Sequence, residues 1–196
     1  MATKNSGLKL TIRQREGRAI NAVVELLRRR LSVPNIYIEP PSSAGRADVL
    51  AVDRGGAGDL HAVEVKLASD LYPEGLRGRP SNPKELHQAY GVWHEKYVKK
   101  LAAIYRHAME MPAHYRYLAI PEESFNLALG KFGPLGLFPE DGIGRLGVIT
   151  IREKGNEAPV AEIKVDAERF RVDAARLRAI ELRILAKTRP DIEVRI

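Results

Sequence analysis

Residues 45–67 read GRADVLAVDRGGAGDLHAVEVKL, and they contain the most informative pattern of the chain. Two β-rich runs, residues 47–53 and 61–67, lie on either side of a glycine-rich segment. Runs of this kind joined by a short turn-forming connection predict a β-hairpin. Side chains alternate between the two faces of a strand, so Glu64 and Lys66 would point to the same face.

Helical and extended patterns alternate on both sides of this hairpin. The further predicted elements are a helix over 11–32, a short strand over 36–39, a helix over 84–109, a strand over 115–120 that ends at Pro121, a hairpin of 146–151 with 160–165, and a helix over 173–187. This mixed order predicts an α/β fold, with a mixed central sheet flanked by α-helices. No linker divides the chain, so we expect a single domain over residues 1–196, with its core at about 11–121 and a C-terminal hairpin and helix at about 146–188.

The composition narrows the class of protein. The chain has 196 residues, is 44% hydrophobic and contains no cysteine, which excludes disulfide frameworks and thiolate zinc sites. The sequence shows neither an apolar run that could cross a bilayer nor a signal peptide, so we expect a soluble cytoplasmic protein without a membrane partner. The net charge of +7 and the pI of about 9.7 favour nucleic acid as the partner.

Two carboxylates and one lysine form the candidate site. If the hairpin register is suitable, Asp48 on the first strand lies beside Glu64 and Lys66 on the second. Carboxylates placed together repel each other and resist burial unless a cation neutralises them. Oxygen ligands completed by water and phosphate are what Mg²⁺ takes, and Lys66 would then orient the attacking water or neutralise developing charge.

Other motifs in the chain are weaker. A second Glu-x-Lys triplet, residues 162–164, has only Asp141 within hairpin reach upstream, and that aspartate lies in a glycine-rich segment. The GxGxxG match at 142–147 precedes a predicted strand rather than a helix, which indicates a turn. His87 and His94 are two helical turns apart, about 10 Å, which is too far for one metal without a third element.

The chain resembles the PD-(D/E)xK nuclease superfamily over roughly residues 13–120. The resemblance is carried by Gly-Arg-Ala-Asp at 45–48, which runs into an apolar strand, and by Val-Glu-Val-Lys at 63–66. It implies a restriction-endonuclease-like core in which Asp48 and Glu64 bind Mg²⁺ and Lys66 assists hydrolysis. Ala47 replaces the proline that often precedes the aspartate in this superfamily.

The same resemblance implies further site residues. Many members add a glutamate from the first helix, for which Glu16 and Glu25 are the candidates, about half a turn out of phase. We favour Glu16, which lies on the side of the apolar stripe. In exonuclease-like members a glutamine on the next helix supports the site, a place that Gln88 could fill. The Val65 carbonyl is a candidate to complete the metal shell.

A finer similarity is to small bacterial DNA-repair endonucleases. The residues that carry it are Trp93, Tyr97, Tyr117 to Pro121 and Phe138 to Val148. Four basic residues flank the proposed site and are candidate phosphate contacts: Arg46, Arg77, Arg79 and Lys84.

We therefore expect a nuclease that hydrolyses DNA with Mg²⁺, or with Mn²⁺ as a substitute, in repair, recombination or defence. Two alternatives stay open, which are a non-catalytic nucleic-acid-binding module on the same fold and a nuclease that acts on RNA. A homodimer is also compatible with the sequence, although nothing in it marks an interface.

Overall fold

The computed structural model describes residues 11–31, 36–38, 47–53, 58–67, 103–122, 125, 146–153 and 157–180. Within them, six strands form one sheet in the order β1-β2-β3-β4-β5-β6. The elements are α1 (Ile12–Leu31), β1 (Ile36–Ile38), β2 (Val49–Val52), β3 (Leu60–Val65), β4 (Tyr115–Pro121), β5 (Gly147–Arg152) and β6 (Val160–Val165). Residues 103–110, here α2, and residues 174–180, here α3, are helical. The predicted α/β class is confirmed.

Strand β3 is where two halves of the sheet meet. Strands β1, β2 and β3 are antiparallel neighbours, whereas β3, β4 and β5 run parallel to one another. Strand β6 returns antiparallel to β5. Both predicted hairpins are therefore confirmed. The parallel pair β3 and β4 needs a crossover connection, and α2 lies in it.

Helix α1 has a capped start and one apolar side. Thr11 Oγ1 accepts a hydrogen bond from the Gln14 amide, while Gln14 Oε1 accepts one from the Thr11 amide. This reciprocal capping satisfies two amides that the first turn leaves without helical partners. Burial begins at Ala19 and includes Val23 and Leu27, which are 0% and 1% exposed. Each of these larger side chains contributes about 1.5–3 kcal/mol by leaving water.

The sheet separates two apolar layers. On one face, α1 covers alternate residues of the strands, among them Val63 and Val65 of β3. On the other face, Ala62 of β3 packs with a cluster that includes Ala108 and Met111 in and after α2 and, at its margin, residues of α3. The alternation of side chains thus places Glu64 on the α2 side of the sheet, beyond Ala62.

Some boundaries differ from those predicted. Pro121 is the last residue of β4, opposite Ile151, rather than the residue after the strand. A proline is tolerated there because the end of a strand can do without its N–H. Asp48 precedes β2 instead of lying within it. The predicted helical residues 84–102 and 181–187 lie outside the described residues.

No helix among the described residues is long and apolar enough to cross a membrane.

Candidate functional site

The register of β2 and β3 brings Asp48 to the end of β3. Val49 pairs with Val63 and Leu50 with Ala62, so one further step along the hairpin would put Asp48 opposite Glu64. The Asp48 amide donates to the Val63 carbonyl at 3.0 Å. The Val65 amide donates to Asp48 Oδ2 at 2.6 Å. A side-chain carboxylate therefore accepts the hydrogen bond that a backbone carbonyl would accept in a continuing ladder.

This hydrogen bond also orients Val65. In an antiparallel pair, a residue directs its N–H and its C=O to the same neighbouring strand. Lys66 donates its amide to Ala119 of β4 at 2.9 Å, so adjacent residues of β3 face opposite neighbours. The Val65 carbonyl thus faces the side on which the Asp48 carboxylate lies.

Glu64 and Lys66 lie on the same face of the sheet, as the alternation of side chains predicted. They form an ion pair there. Lys66 Nζ lies 2.6 Å from Glu64 Oε1, and the two side chains are 26% and 5% exposed. Among the described residues, the second carboxylate oxygen of Glu64, Oε2, is buried without a hydrogen-bond partner. A buried charged group in this condition costs free energy, because it has lost water without gaining a full set of donors.

The surroundings of Asp48 make its ionised form unfavourable. Burial is the largest of the effects that raise the pKa of Asp48 from its ordinary value of 3.8 to about 6. The charges of Glu64 and Glu16 also raise this pKa, whereas the hydrogen bond from Val65 and the charge of Lys66 lower it. Such a carboxylate binds a proton or a cation more readily than an exposed one.

A second aspartate in the same hairpin provides a contrast. Asp59, just before β3, accepts two hydrogen bonds from the Arg169 guanidinium at 2.8 and 3.1 Å. Its hydrogen bond with Arg169 holds the pKa of Asp59 below the ordinary value. The negative charge of Asp59 is thus stabilised by an arginine, whereas that of Asp48 is destabilised by burial.

The two glutamates proposed from α1 have different surroundings. Glu25 is exposed and pairs with Arg28 at 2.8 Å on the solvated side of the helix, as its spacing predicted. Glu16 is also exposed, although it was placed beside the apolar stripe, because burial in α1 begins only at Ala19. Glu16 nevertheless acts electrostatically on Asp48, and Glu25 does not appear among the causes of that shift.

His107 of α2 was not predicted as a site residue. Its Nε2 lies 4.0 Å from Glu64 Oε2, and its side chain is 42% exposed. The two residues are far apart in the chain, and no local spacing connects them. They come together because α2 packs on the same face of the sheet as Glu64.

Several predicted residues lie outside the described residues: Arg46, Arg77, Arg79, Lys84 and Gln88. The second Glu-x-Lys triplet lies on edge strand β6. There, Glu162 is 59% exposed and pairs with Lys164 at 2.7 Å. That triplet is a surface ion pair, unlike the buried pair on β3.

The described residues contain no group of three or more His, Cys, Asp and Glu side chains arranged to hold a metal ion. The proposed site uses two carboxylates and a backbone carbonyl, a smaller donor set. The donors present are oxygen atoms of the kind that Mg²⁺ and Mn²⁺ accept.

The chain matches no protein-family model and no curated protein sequence. Among solved structures it is similar to a protein of unknown function from Silicibacter pomeroyi, with 17% identity over 95% of this chain and 98% of that chain. The TM-score of 0.43 is too low for that likeness to bear on this protein. The functional argument therefore depends on the geometry of the site.

Proposed function

We propose that this protein is a metal-dependent nuclease that hydrolyses phosphodiester bonds in DNA, with Mg²⁺ or Mn²⁺ as cofactor. The observation that carries the proposal is the charge balance at the end of β3. Asp48 is half-buried and Glu64 is buried. The charge of Glu16 acts on Asp48, and Lys66 forms an ion pair with Glu64. Among the described residues, the positive charge of Lys66 does not balance these carboxylates, and a divalent cation would.

The donor set fits such a cation. Asp48 Oδ1 and a Glu64 oxygen would be its carboxylate ligands, and the Val65 carbonyl faces the same side as Asp48. When bound, a divalent cation acidifies a water molecule and stabilises negative charge on phosphate. The Val65 amide holds the other oxygen of Asp48 at 2.6 Å, which fixes the orientation of that carboxylate.

Lys66 is the residue that would assist the hydrolysis. Its Nζ is paired with Glu64 Oε1 and its side chain is partly exposed, which would allow it to meet a phosphate bound at the site. An ammonium group there stabilises the charge that develops on the phosphate, or orients the attacking water. The net charge of +7 favours association with a polyanion. We place this activity in the cytoplasm, in repair, recombination or defence.

The test is cleavage of duplex DNA with Mg²⁺ or Mn²⁺ by the full chain and by Lys66→Ala and Lys66→Arg. Lys66→Ala should lose at least about a hundredfold in rate, because removal of one transition-state donor costs this much. Lys66→Arg should also lose activity, because a planar guanidinium does not put its donors where the compact ammonium group puts them. Lys66→Arg retains the positive charge beside Glu64, so its loss of activity cannot be attributed to an unpaired buried carboxylate.

Lys164→Ala is the matched control, since it removes the lysine of the exposed triplet and should cleave as the unchanged protein does. Cleavage by Lys66→Arg and Lys66→Ala at the original rate would refute the catalytic role. Metal-dependent DNA binding without cleavage by the unchanged protein would instead favour the non-catalytic module. A parallel RNA substrate identifies a ribonuclease.

A further inference from the structure

The two oxygens of the Glu64 carboxylate have unequal surroundings. Oε1 is paired with Lys66 at 2.6 Å, whereas Oε2 is buried and has no hydrogen-bond partner among the described residues. The imidazole of His107 reaches towards this second oxygen from the overlying α2, with Nε2 at 4.0 Å. The sheet and the helix thus converge on one carboxylate oxygen that has no hydrogen-bond partner in the described part of the chain.

The separation of these two atoms is informative. A direct N–H···O hydrogen bond would require about 2.7–3.2 Å, so the pair is too far apart to satisfy Oε2 by itself. Bonds from a divalent cation to a carboxylate oxygen and to an imidazole nitrogen are each about 2.0–2.2 Å. Two such bonds placed nearly in line span about 4 Å, which is the distance observed.

We propose that His107 Nε2 and Glu64 Oε2 are both ligands of the cation in this site. This inference rests on the proposed function, since it concerns the same ion. Asp48, water and a phosphate oxygen would complete the ligands of such an ion. The described residues contain no group of three or more such side chains already closed around an ion, so the proposal adds His107 to the carboxylates of Glu64 and Asp48 as a further ligand.

The chemical consequence is metal preference. Mg²⁺ takes oxygen ligands almost exclusively, whereas imidazole nitrogen suits transition metals, among which Mn²⁺ also accepts carboxylate and water. A site built from Glu64 and His107 therefore favours Mn²⁺ over Mg²⁺. The side chain of His107 is 42% exposed, so it lies at the boundary between solvent and the buried carboxylate.

The experiment measures Mn²⁺ and Mg²⁺ binding to the full chain by calorimetry, without DNA. Pulsed electron paramagnetic resonance of the Mn²⁺-loaded protein then reports whether a nitrogen atom is bonded to the ion. The variants are His107→Ala and His107→Gln, and the control is Glu110→Gln on the exposed side of the same helix. His107→Gln keeps a side chain of similar reach, so it addresses the case in which alanine disturbs the packing of α2.

The unchanged protein and Glu110→Gln should show a nitrogen coupling from Mn²⁺, and both His107 variants should lose it. Mn²⁺ affinity should fall at least about tenfold in these variants, with a smaller change for Mg²⁺. If Mn²⁺ binds without nitrogen coupling, or binds equally well to His107→Gln, His107 is not a ligand and the nuclease proposal still stands. If the unchanged protein binds neither ion, both proposals are wrong.

Discussion

Asp48→Asn should stabilise the metal-free protein while it removes the proposed activity. Asparagine keeps an oxygen that can accept the 2.6 Å hydrogen bond from the Val65 amide, so the end of β3 retains its bond. What the substitution removes is a negative charge that burial and two neighbouring glutamates make unfavourable. Active-site residues often lower the free energy of unfolding, so their replacement can raise stability while it lowers activity.

The magnitude follows from the pKa of Asp48. A pKa of about 6 in the folded protein, against an ordinary value of 3.8, corresponds to about 3 kcal/mol of unfavourable free energy when the group is ionised. Asp48 is partly exposed, and solvent screens part of this cost. We therefore expect Asp48→Asn to gain about 1–2 kcal/mol in free energy of unfolding at pH 8.

The sign of the pH dependence is fixed by the direction of the shift. Because the pKa of Asp48 is raised in the folded state, the folded protein holds more protons than the unfolded chain between about pH 4 and pH 6. This group's contribution to stability is therefore lost as the pH rises through that window. The gain from Asp48→Asn should be full above about pH 6 and disappear below about pH 4.

The assay is urea denaturation in the presence of a chelator, at pH 8 and near pH 4. Asp59→Asn is the matched control, since the pKa of Asp59 is lowered by its hydrogen bond with Arg169 and its replacement should destabilise the protein at pH 8. If Asp48→Asn is less stable than the unchanged protein at pH 8, or gains equally at both pH values, the electrostatic account of Asp48 is wrong.

Three further predictions concern other residues. Glu16→Gln should slow metal-dependent cleavage at least about tenfold, while Glu25→Gln on the opposite side of α1 leaves the rate unchanged; equal rates in cleavage assays would exclude Glu16. Gly147→Ala should lower the free energy of unfolding by about 1–3 kcal/mol, because the added Cβ would overlap the ring of Tyr117; urea denaturation measures this loss, and an unchanged midpoint would contradict it. His61→Phe should stabilise the protein more at pH 5 than at pH 8. Burial lowers the pKa of His61 in the folded protein, so stability is lost below about pH 6.5, where the unfolded chain takes up a proton at this residue. Thermal unfolding with an equal gain at both pH values would refute this prediction.

The sequence predicted those parts of the fold that depend on local patterns. Alternation along residues 61–67 identified β3 and placed Glu64 and Lys66 on the same face, because strand geometry has a fixed period of two. Helical phase similarly separated Glu25 from the buried side of α1. The exposure of Glu16 could not be predicted, since it depends on where the sheet begins to cover the helix.

Contacts made through the crossover were beyond local reasoning. His107 lies near Glu64 because α2 packs on the same face of the sheet as Glu64. The two residues are far apart in the chain, so no sequence motif contains both of them. The hydrogen bond from Val65 to the Asp48 side chain was likewise unpredicted, because it depends on β2 beginning one residue after Asp48.

The hydrogen bond from the Val65 amide to the Asp48 side chain makes this amide a reporter of the site. The Val65 amide donates its proton in a hydrogen bond to Asp48 Oδ2, so the nuclear magnetic resonance frequency of that proton should respond to whatever the carboxylate binds, whether a proton or an ion. Its neighbour, the Lys66 amide, is bonded to Ala119 on the other side of β3 and serves as an internal reference. Binding at the carboxylate can thus be followed at one amide without any amino-acid substitution and without substrate.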